Sequence, residues 1–243
     1  MKNLDVVITM AGLGSRFRKA GYDCPKYMIK AKGKTLFDWS MESLEGYSAI
    51  IKQYIFIALK DQNYDVETFI CDHCRALGIE SYHVILIDKL TDGQATTATL
   101  AKDYWKSGDA LLIYNIDTYV EPGEMNAEEL KGDGFIPCFE GEGDHWSFVK
   151  LNESGEAMEV REKERISSYC TLGAYYFKSV DLYKKLYDGY YGKGEHMVNG
   201  EKYIAPLYNY LIGKGGSVYI SNVKSEAVHV LGTPEELAIF LQE

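Results

Sequence analysis

The chain has 243 residues and a formal net charge of −10, long enough to bury a core as one α/β domain and too acidic for general nucleic-acid binding. Five cysteines, an odd number in a chain of this size, point to reduced thiols and a cytoplasmic setting. No apolar run reaches membrane-spanning length and no secretory leader pattern opens the sequence, so neither membrane nor export is expected.

Residues 4–10 read as a buried strand, rich in Val and Ile. The loop Ala11-Gly12-Leu13-Gly14-Ser15-Arg16 follows, and Pro25-Lys26 stands downstream of it. Gly12 and Gly14 let the backbone turn sharply and approach a ligand. Arg16 offers a planar fork of donors to phosphate oxygens, and Lys26 a compact cation. Phe17 stands where a dinucleotide fingerprint needs its third glycine, and the Walker A spacing is absent. The spacing alone also fits a strand followed by a solvated basic loop. Residues 1–34 hold eight Lys or Arg against Asp5 and Asp23, a net of +6, which leaves −16 for the remainder. A local cationic zone in an acidic protein suits a small anionic ligand.

Further along, residues 35–44 read as a helix, 54–58 as a strand, 64–77 as a helix and 82–87 as a strand. A helix over 93–105 and a strand over 110–116 complete an alternation that implies parallel βαβ units. Cys71 and Cys74 fall inside the helix over 64–77 without a second pair, which reads as helix packing rather than a zinc or redox site. Asp92-Gly93-Gln94 opens the next helix. There Asp92 can cap, Gly93 can admit a nucleobase and the Gln94 amide can read a base edge. Asn115-Ile116-Asp117 ends the strand over 110–116. A carboxylate there can hold magnesium or simply form a turn.

The second half differs. Short strands are expected over 134–140, 146–152, 157–161 and 172–177, helices over 180–187, 205–213 and 234–242, and a loop over 188–200. Glu162-Lys163 follows the third of these strands within a charged run, Arg161 to Arg165. Gly173 opens the fourth strand, where a close backbone approach is expected. Thr233-Pro234 marks a helix start.

These segments together resemble the sugar-1-phosphate nucleotidyltransferases, the nucleoside-diphosphate-sugar pyrophosphorylase family, and the resemblance runs through most of the chain. It implies a Rossmann-like three-layer α/β fold with a mostly parallel mixed central sheet and a smaller acceptor-side β region. Residues 1–243 then form a single nucleotidyltransferase domain, with residues 1–120 the nucleotide-binding half and 121–243 the acceptor-binding half. The implied reaction moves a nucleoside monophosphate from a nucleoside triphosphate to a sugar 1-phosphate and releases pyrophosphate, in activated-sugar synthesis for surface polysaccharide. Its partners are that triphosphate and a phosphorylated small-molecule acceptor, with Mg2+ as cofactor. The resemblance implies catalytic roles for Arg16 and Lys26 and nucleotide contacts from Ala11, Gly12, Gly14, Ser15, Gly93 and Gln94. It implies acceptor contacts from Glu162, Lys163 and Gly173, and a metal ligand in Asp117. Lys19 and Gly21 depart from the signature loop, and Glu164 replaces a usual proline. Val230 stands where relatives carry the second metal-binding aspartate, which leaves nearby Glu226 as the expected substitute, ahead of His229 because magnesium disfavours imidazole. A non-sugar phosphate acceptor, and a non-catalytic nucleotide-binding module on the same fold, remain open alternatives, as do the nucleobase and the oligomeric state.

Overall fold

In the computed structural model, which describes residues 2–194 and 196–242, the first strand, β1 (Leu4–Met10), is buried almost along its length. It leads through the glycine loop into the short helix α1 (Ser15–Lys19). A small ribbon, β2 (Lys30–Ala31) and β3 (Lys34–Thr35), precedes α2 (Leu36–Glu42). Thr35 and Asp38 form a reciprocal capping box at the start of α2, which satisfies two of the helix's unpaired amides. Next come β4 (Ile51–Leu59), α3 (Val66–Ala76), β5 (Tyr82–Ile87), α4 (Gln94–Thr99) and β6 (Ala110–Asn115). The second half carries β7 (Thr118–Val120), β8 (Gly134–Glu140), β9 (Ser147–Leu151), β10 (Ala157–Glu162), β11 (Tyr169–Thr171) and β12 (Ala174–Phe177). It ends with α5 (Val180–Tyr191), α6 (Ala205–Gly213), β13 (Val218–Val223), β14 (Val228–Val230) and α7 (Pro234–Gln242).

One ten-stranded sheet runs through both halves in the order β10-β9-β11-β8-β12-β6-β1-β4-β5, with β13 paired to β8. β6, β1, β4 and β5 are mutually parallel. Beyond β6 the pairing turns antiparallel, except that β13 runs parallel to β8. Period-two alternation explains the layers. Leu4, Val6, Ile8 and Met10 of β1 enter one core with Phe37 of α2 and Ile70 of α3. Val7 enters the opposite core with Ala95 of α4, Tyr183 of α5 and Tyr208 of α6. A third cluster joins Phe17 of α1, Tyr119 of β7, and Leu237 and Phe240 of α7. It fastens the glycine-loop helix to the C-terminal helix.

Several boundaries differ from the sequence reading, each for a local reason. The strand expected over 172–177 starts later, as β12, because Gly173 adopts a left-handed φ of 79° that separates it from β11. The loop expected over 188–200 begins later, since α5 continues to Tyr191. Gly189 sits inside that helix, where a Cβ would come within 2.8 Å of Tyr210 Oη. Residue 195 of the loop lies outside the described residues. The helix expected over 93–105 becomes a tighter 3-10 turn after Thr99, whose hydroxyl donates to the Thr96 carbonyl at 2.7 Å. Cys74 is buried and Cys71 half-buried on α3, both as free thiols.

Candidate active site

β1 and β6 are parallel neighbours with Thr9 opposite Asn115, so the glycine loop and Asp117 leave the carboxyl edge of the sheet side by side. Ligands of open α/β sheets sit at that edge. Two cavities meet there. The first, about 470 Å³, is bordered by Ala11, Gly12, Leu13, Gly14, Lys26, Leu90 and Gly93. The second, about 240 Å³, is bordered by Arg16, Trp146, Ser147, Glu162, Gly173, Tyr175 and Tyr203. Gln94, Asn115 and Asp117 border both. Another cleft of about 470 Å³, bordered by Glu42, Lys52 and Glu80, opens at the amino ends of β4 and β5, the wrong edge for a ligand of this sheet.

The glycine loop is shaped by Gly14, whose φ of 60° places it in the left-handed region, and a Cβ there would lie 3.4 Å from Lys26 Cβ. Gly12 is open, with nothing within 4 Å of where its Cβ would be. Ser15 is exposed and borders neither of the two cavities. Pro25, with φ −52° and ψ 140°, precedes a single 3-10 turn over Lys26–Met28. From that turn Lys26 Nζ reaches Asp117 Oδ2 at 2.9 Å, with both side chains partly buried. Lysine and aspartate, 91 residues apart, therefore meet at the junction of the cavities. Arg16 is exposed and borders the second cavity rather than the first.

Gly93 borders the first cavity and also has a packing role. A Cβ there would lie 2.5 Å from the Lys202 backbone nitrogen and oxygen, and Lys202 is hydrogen-bonded on both sides of it, to Asp92 and Ala95. The glycine admits the crossing chain. Gly93, not Asp92, is the N-cap residue of α4. The Asp92 carboxylate instead accepts from Thr96 and pairs with Lys202 at 2.7 Å. Those contacts hold its carboxyl below the ordinary range even though burial opposes them. The Gln94 amide nitrogen donates to Thr9 Oγ1 at 3.0 Å and to Asn115 Oδ1.

Gly173 is required by contact as well as by φ: a Cβ there would lie 2.8 Å from Asn115 Cγ. Glu162, at the end of β10, accepts from Ser147 Oγ across the β9–β10 pair. Burial raises the Glu162 carboxyl above its ordinary value, with the Ser147 bond opposing. Lys163 has a left-handed φ of 56°. Its ammonium bonds Tyr203 Oη at 2.8 Å, which raises its pKa. Lys163 does not itself border the second cavity, whereas Tyr203 does.

The expected metal partner Glu226 is not brought to Asp117. It is exposed in the turn before β14. β14 pairs antiparallel with β7, Val230 opposite Thr118 and Val228 opposite Val120, so Glu226 lies off the far end of this ribbon from Asp117. His229 stacks on Tyr119, with ring centroids 5.3 Å apart. Val230 borders the second cavity, as does Glu236, which the sequence reading left out. Trp146 and Tyr203 were also missed. Their only signal was aromatic content, and 20 tyrosines made that uninformative.

Comparison with solved structures gives a nucleoside-diphosphate-sugar pyrophosphorylase from Vibrio cholerae RC9 at 35% identity and a TM-score of 0.87, covering 98% of this chain and 100% of that one. The inositol-1-phosphate CTP transferase from T. maritima matches at 14% identity and a TM-score of 0.75, over 100% of this chain and 98% of that one. A CTP:phosphocholine cytidylyltransferase from Streptococcus pneumoniae matches at 15% identity and a TM-score of 0.75, over 99% and 98%. These last two identities show a common fold alone. No protein-family profile and no curated protein matches the chain. With the V. cholerae match running nearly end to end in both chains, this Rossmann-like α/β protein belongs to the nucleoside-diphosphate-sugar pyrophosphorylase family and is a nucleotidyltransferase.

Proposed function

We propose that this nucleotidyltransferase transfers a nucleoside monophosphate from a nucleoside triphosphate to a sugar 1-phosphate and releases pyrophosphate. The observation that carries this reading is the junction. The Lys26–Asp117 pair, with Gln94 and Asn115, stands where the glycine-loop cavity opens into one bearing a half-buried carboxylate, hydroxyls and aromatic rings. Residues 1–120 supply the triphosphate side and residues 121–243 the acceptor side, with Arg16 reaching toward the second. The triphosphate lies along the Ala11–Gly14 loop, and the Gln94 carbonyl oxygen accepts from the base edge.

An anionic oxygen of the acceptor phosphate forms the new bond to the α-phosphorus. The bond from that phosphorus to the bridging oxygen breaks, and the oxygen leaves on pyrophosphate. The attacking oxygen is already ionised, so no general base is needed, and catalysis is positioning plus charge neutralisation. Lys26 exchanges Asp117 for the α-phosphoryl oxygens as negative charge spreads there. Arg16 steadies the phosphates across the junction, Glu162 accepts from acceptor hydroxyls, and Lys163, released from Tyr203, binds the acceptor phosphate.

The donor set at Asp117 fits Mg2+. Asp117 borders both cavities, and a lysine ammonium stands on its Oδ2 at 2.9 Å as a natural stand-in for a cation. When bound, the ion supplies positive charge to the phosphate oxygens beside the reacting phosphorus. A non-sugar acceptor is a second reading, favoured by Trp146, Tyr175 and Tyr203 around Glu162. Aromatic faces with one carboxylate also suit a cationic phosphoalcohol. Pyrophosphate release over a matrix of four nucleoside triphosphates against sugar 1-phosphates and phosphoalcohols tests both. Turnover confined to sugar 1-phosphates supports the first reading. Turnover confined to phosphoalcohols replaces it with the second, and no turnover with any pair contradicts both.

A further inference from the structure

We propose that Glu236, from the first turn of α7, is the second carboxylate that holds the divalent cation opposite Asp117, in place of the aspartate that Val230 displaces. The inference rests on the reading of Asp117 as a metal ligand.

Three observations converge on it. First, Glu236 Oε2 is buried and has no hydrogen-bond partner among the described residues. A carboxylate oxygen in that state is unfavourable unless a cation or a donor meets it. Second, a Cβ built on Gly232 would lie 3.3 Å from Glu236 Oε2 and 3.6 Å from Asp117 Oδ2. The two carboxylates therefore flank one small space that any larger residue at 232 would fill. Third, Glu236, Asp117 and Arg16 border the same cavity, so an ion held between the carboxylates would lie beside the cationic group proposed to meet the phosphates. Magnesium keeps several waters and takes one or two protein carboxylates plus phosphate oxygens, so a two-carboxylate seat suffices.

The helix start itself does not use the side chain in this way. Thr233 Oγ1 accepts from the Glu236 backbone nitrogen at 3.2 Å, which is the cap. The other carboxylate oxygen, Oε1, lies 3.9 Å from His145 Nε2, a loose contact on the acceptor side. Glu236 is also rigidly mounted. Its neighbour Leu237 is buried in the cluster that contains Phe17 and Tyr119, which are chain neighbours of Arg16 and near neighbours of Asp117. The helix that carries Glu236 and the elements that carry Arg16 and Asp117 thus share one core. Val230 removes a ligand from β14, and the carboxylate returns from the next element of the chain.

The test is a titration with Mn2+, followed by electron paramagnetic resonance, of the wild type and of Glu236→Gln, Asp117→Asn and Glu226→Gln. It is run with Mn2+ alone and with each of four nucleoside triphosphates, and without acceptor, so that nothing turns over. Glu236→Gln is expected to weaken Mn2+ binding about tenfold or more, as does Asp117→Asn, while Glu226→Gln binds as the wild type does. Thermal melting without metal checks that each variant is folded. If Glu236→Gln does not fold, Glu236→Asp, which keeps the charge but shortens the reach, is expected to weaken Mn2+ binding in its place. Wild-type Mn2+ affinity in Glu236→Gln, or in Glu236→Asp where that variant serves, overturns the proposal. If Asp117→Asn alone is weakened, Asp117 stands as a ligand and only Glu236 falls. If neither carboxylate matters, the metal reading of Asp117 falls as well.

Discussion

Gly173→Ala should destabilise the protein and cripple it by one displacement. The glycine has φ 79°, a conformation that costs an L-residue about 1–2 kcal/mol. The added Cβ would also meet the Asn115 side chain, at 2.8 Å from Cγ, and Asn115 Oδ1 accepts from Gln94. Displacing Asn115 breaks that bond, worth about 1 kcal/mol. The sum is roughly 2–3 kcal/mol, or a fall in Tm of about 4–12 °C at roughly 2–4 °C per kcal/mol for a chain of this size. Urea melts of the two proteins measure it. Because Asn115 and Gln94 border both cavities, kcat/KM should fall by more than the stability loss alone explains at a temperature where both proteins are folded. A melt within about 0.5 kcal/mol of wild type, the range of an inert surface change, would refute the reasoning from φ and contact.

Gly12→Ala is the converse: its Cβ meets nothing within 4 Å, so the melting curve should barely move, while the methyl intrudes on the triphosphate cavity and raises the triphosphate KM in steady-state kinetics. Lys26→Ala should lower kcat by about 10²–10³, the scale of losing one transition-state charge contact, with a smaller effect on triphosphate binding measured by calorimetry; near-normal turnover would remove Lys26 from the chemistry. Burial holds the Glu162 carboxyl above its ordinary 4.5, so the folded state favours the protonated form, and its contribution to stability is lost as pH rises from about 4.5 through the raised folded value. Glu162→Gln should remove that loss, seen as a shallower fall in urea-melt stability between pH 4.5 and neutrality, and should raise the acceptor KM; a pH slope identical to wild type would contradict it.

The parallel half of the fold was legible because its signals are local. β1 has an unbroken Val- and Ile-rich run, and β1 and β5 match their expected limits. Alternation with helices then puts the Gly12 loop and Asp117 at one edge without further information. What was not legible depends on contacts between distant segments. Nothing local to Gly93 shows that Lys202, more than a hundred residues on, crosses it. Glu226 is close to Val230 in sequence, but the antiparallel β14–β7 ribbon carries it to the far end. Glu236 reads as an ordinary first-turn acid of a helix, and only the core shared by Phe17, Tyr119 and Leu237 brings it beside Asp117. Lys163 and Tyr203 lie 40 residues apart, and nothing in either segment announces their bond. β13 had its β-branched and aromatic signal in Val218-Tyr219-Ile220 but joins the sheet through β8, some eighty residues earlier in the chain.

The most direct measurement follows the phosphorus atoms. With the accepted nucleoside triphosphate labelled at the α-phosphate in one reaction and at the γ-phosphate in another, transfer at the junction of the two cavities requires the α label to appear in the acceptor product and the γ label in pyrophosphate. The γ label in the acceptor product would instead mean attack at the terminal phosphorus. The γ label in inorganic phosphate, with pyrophosphatase excluded, would mean hydrolysis, and either result would contradict nucleotidyl transfer at this site.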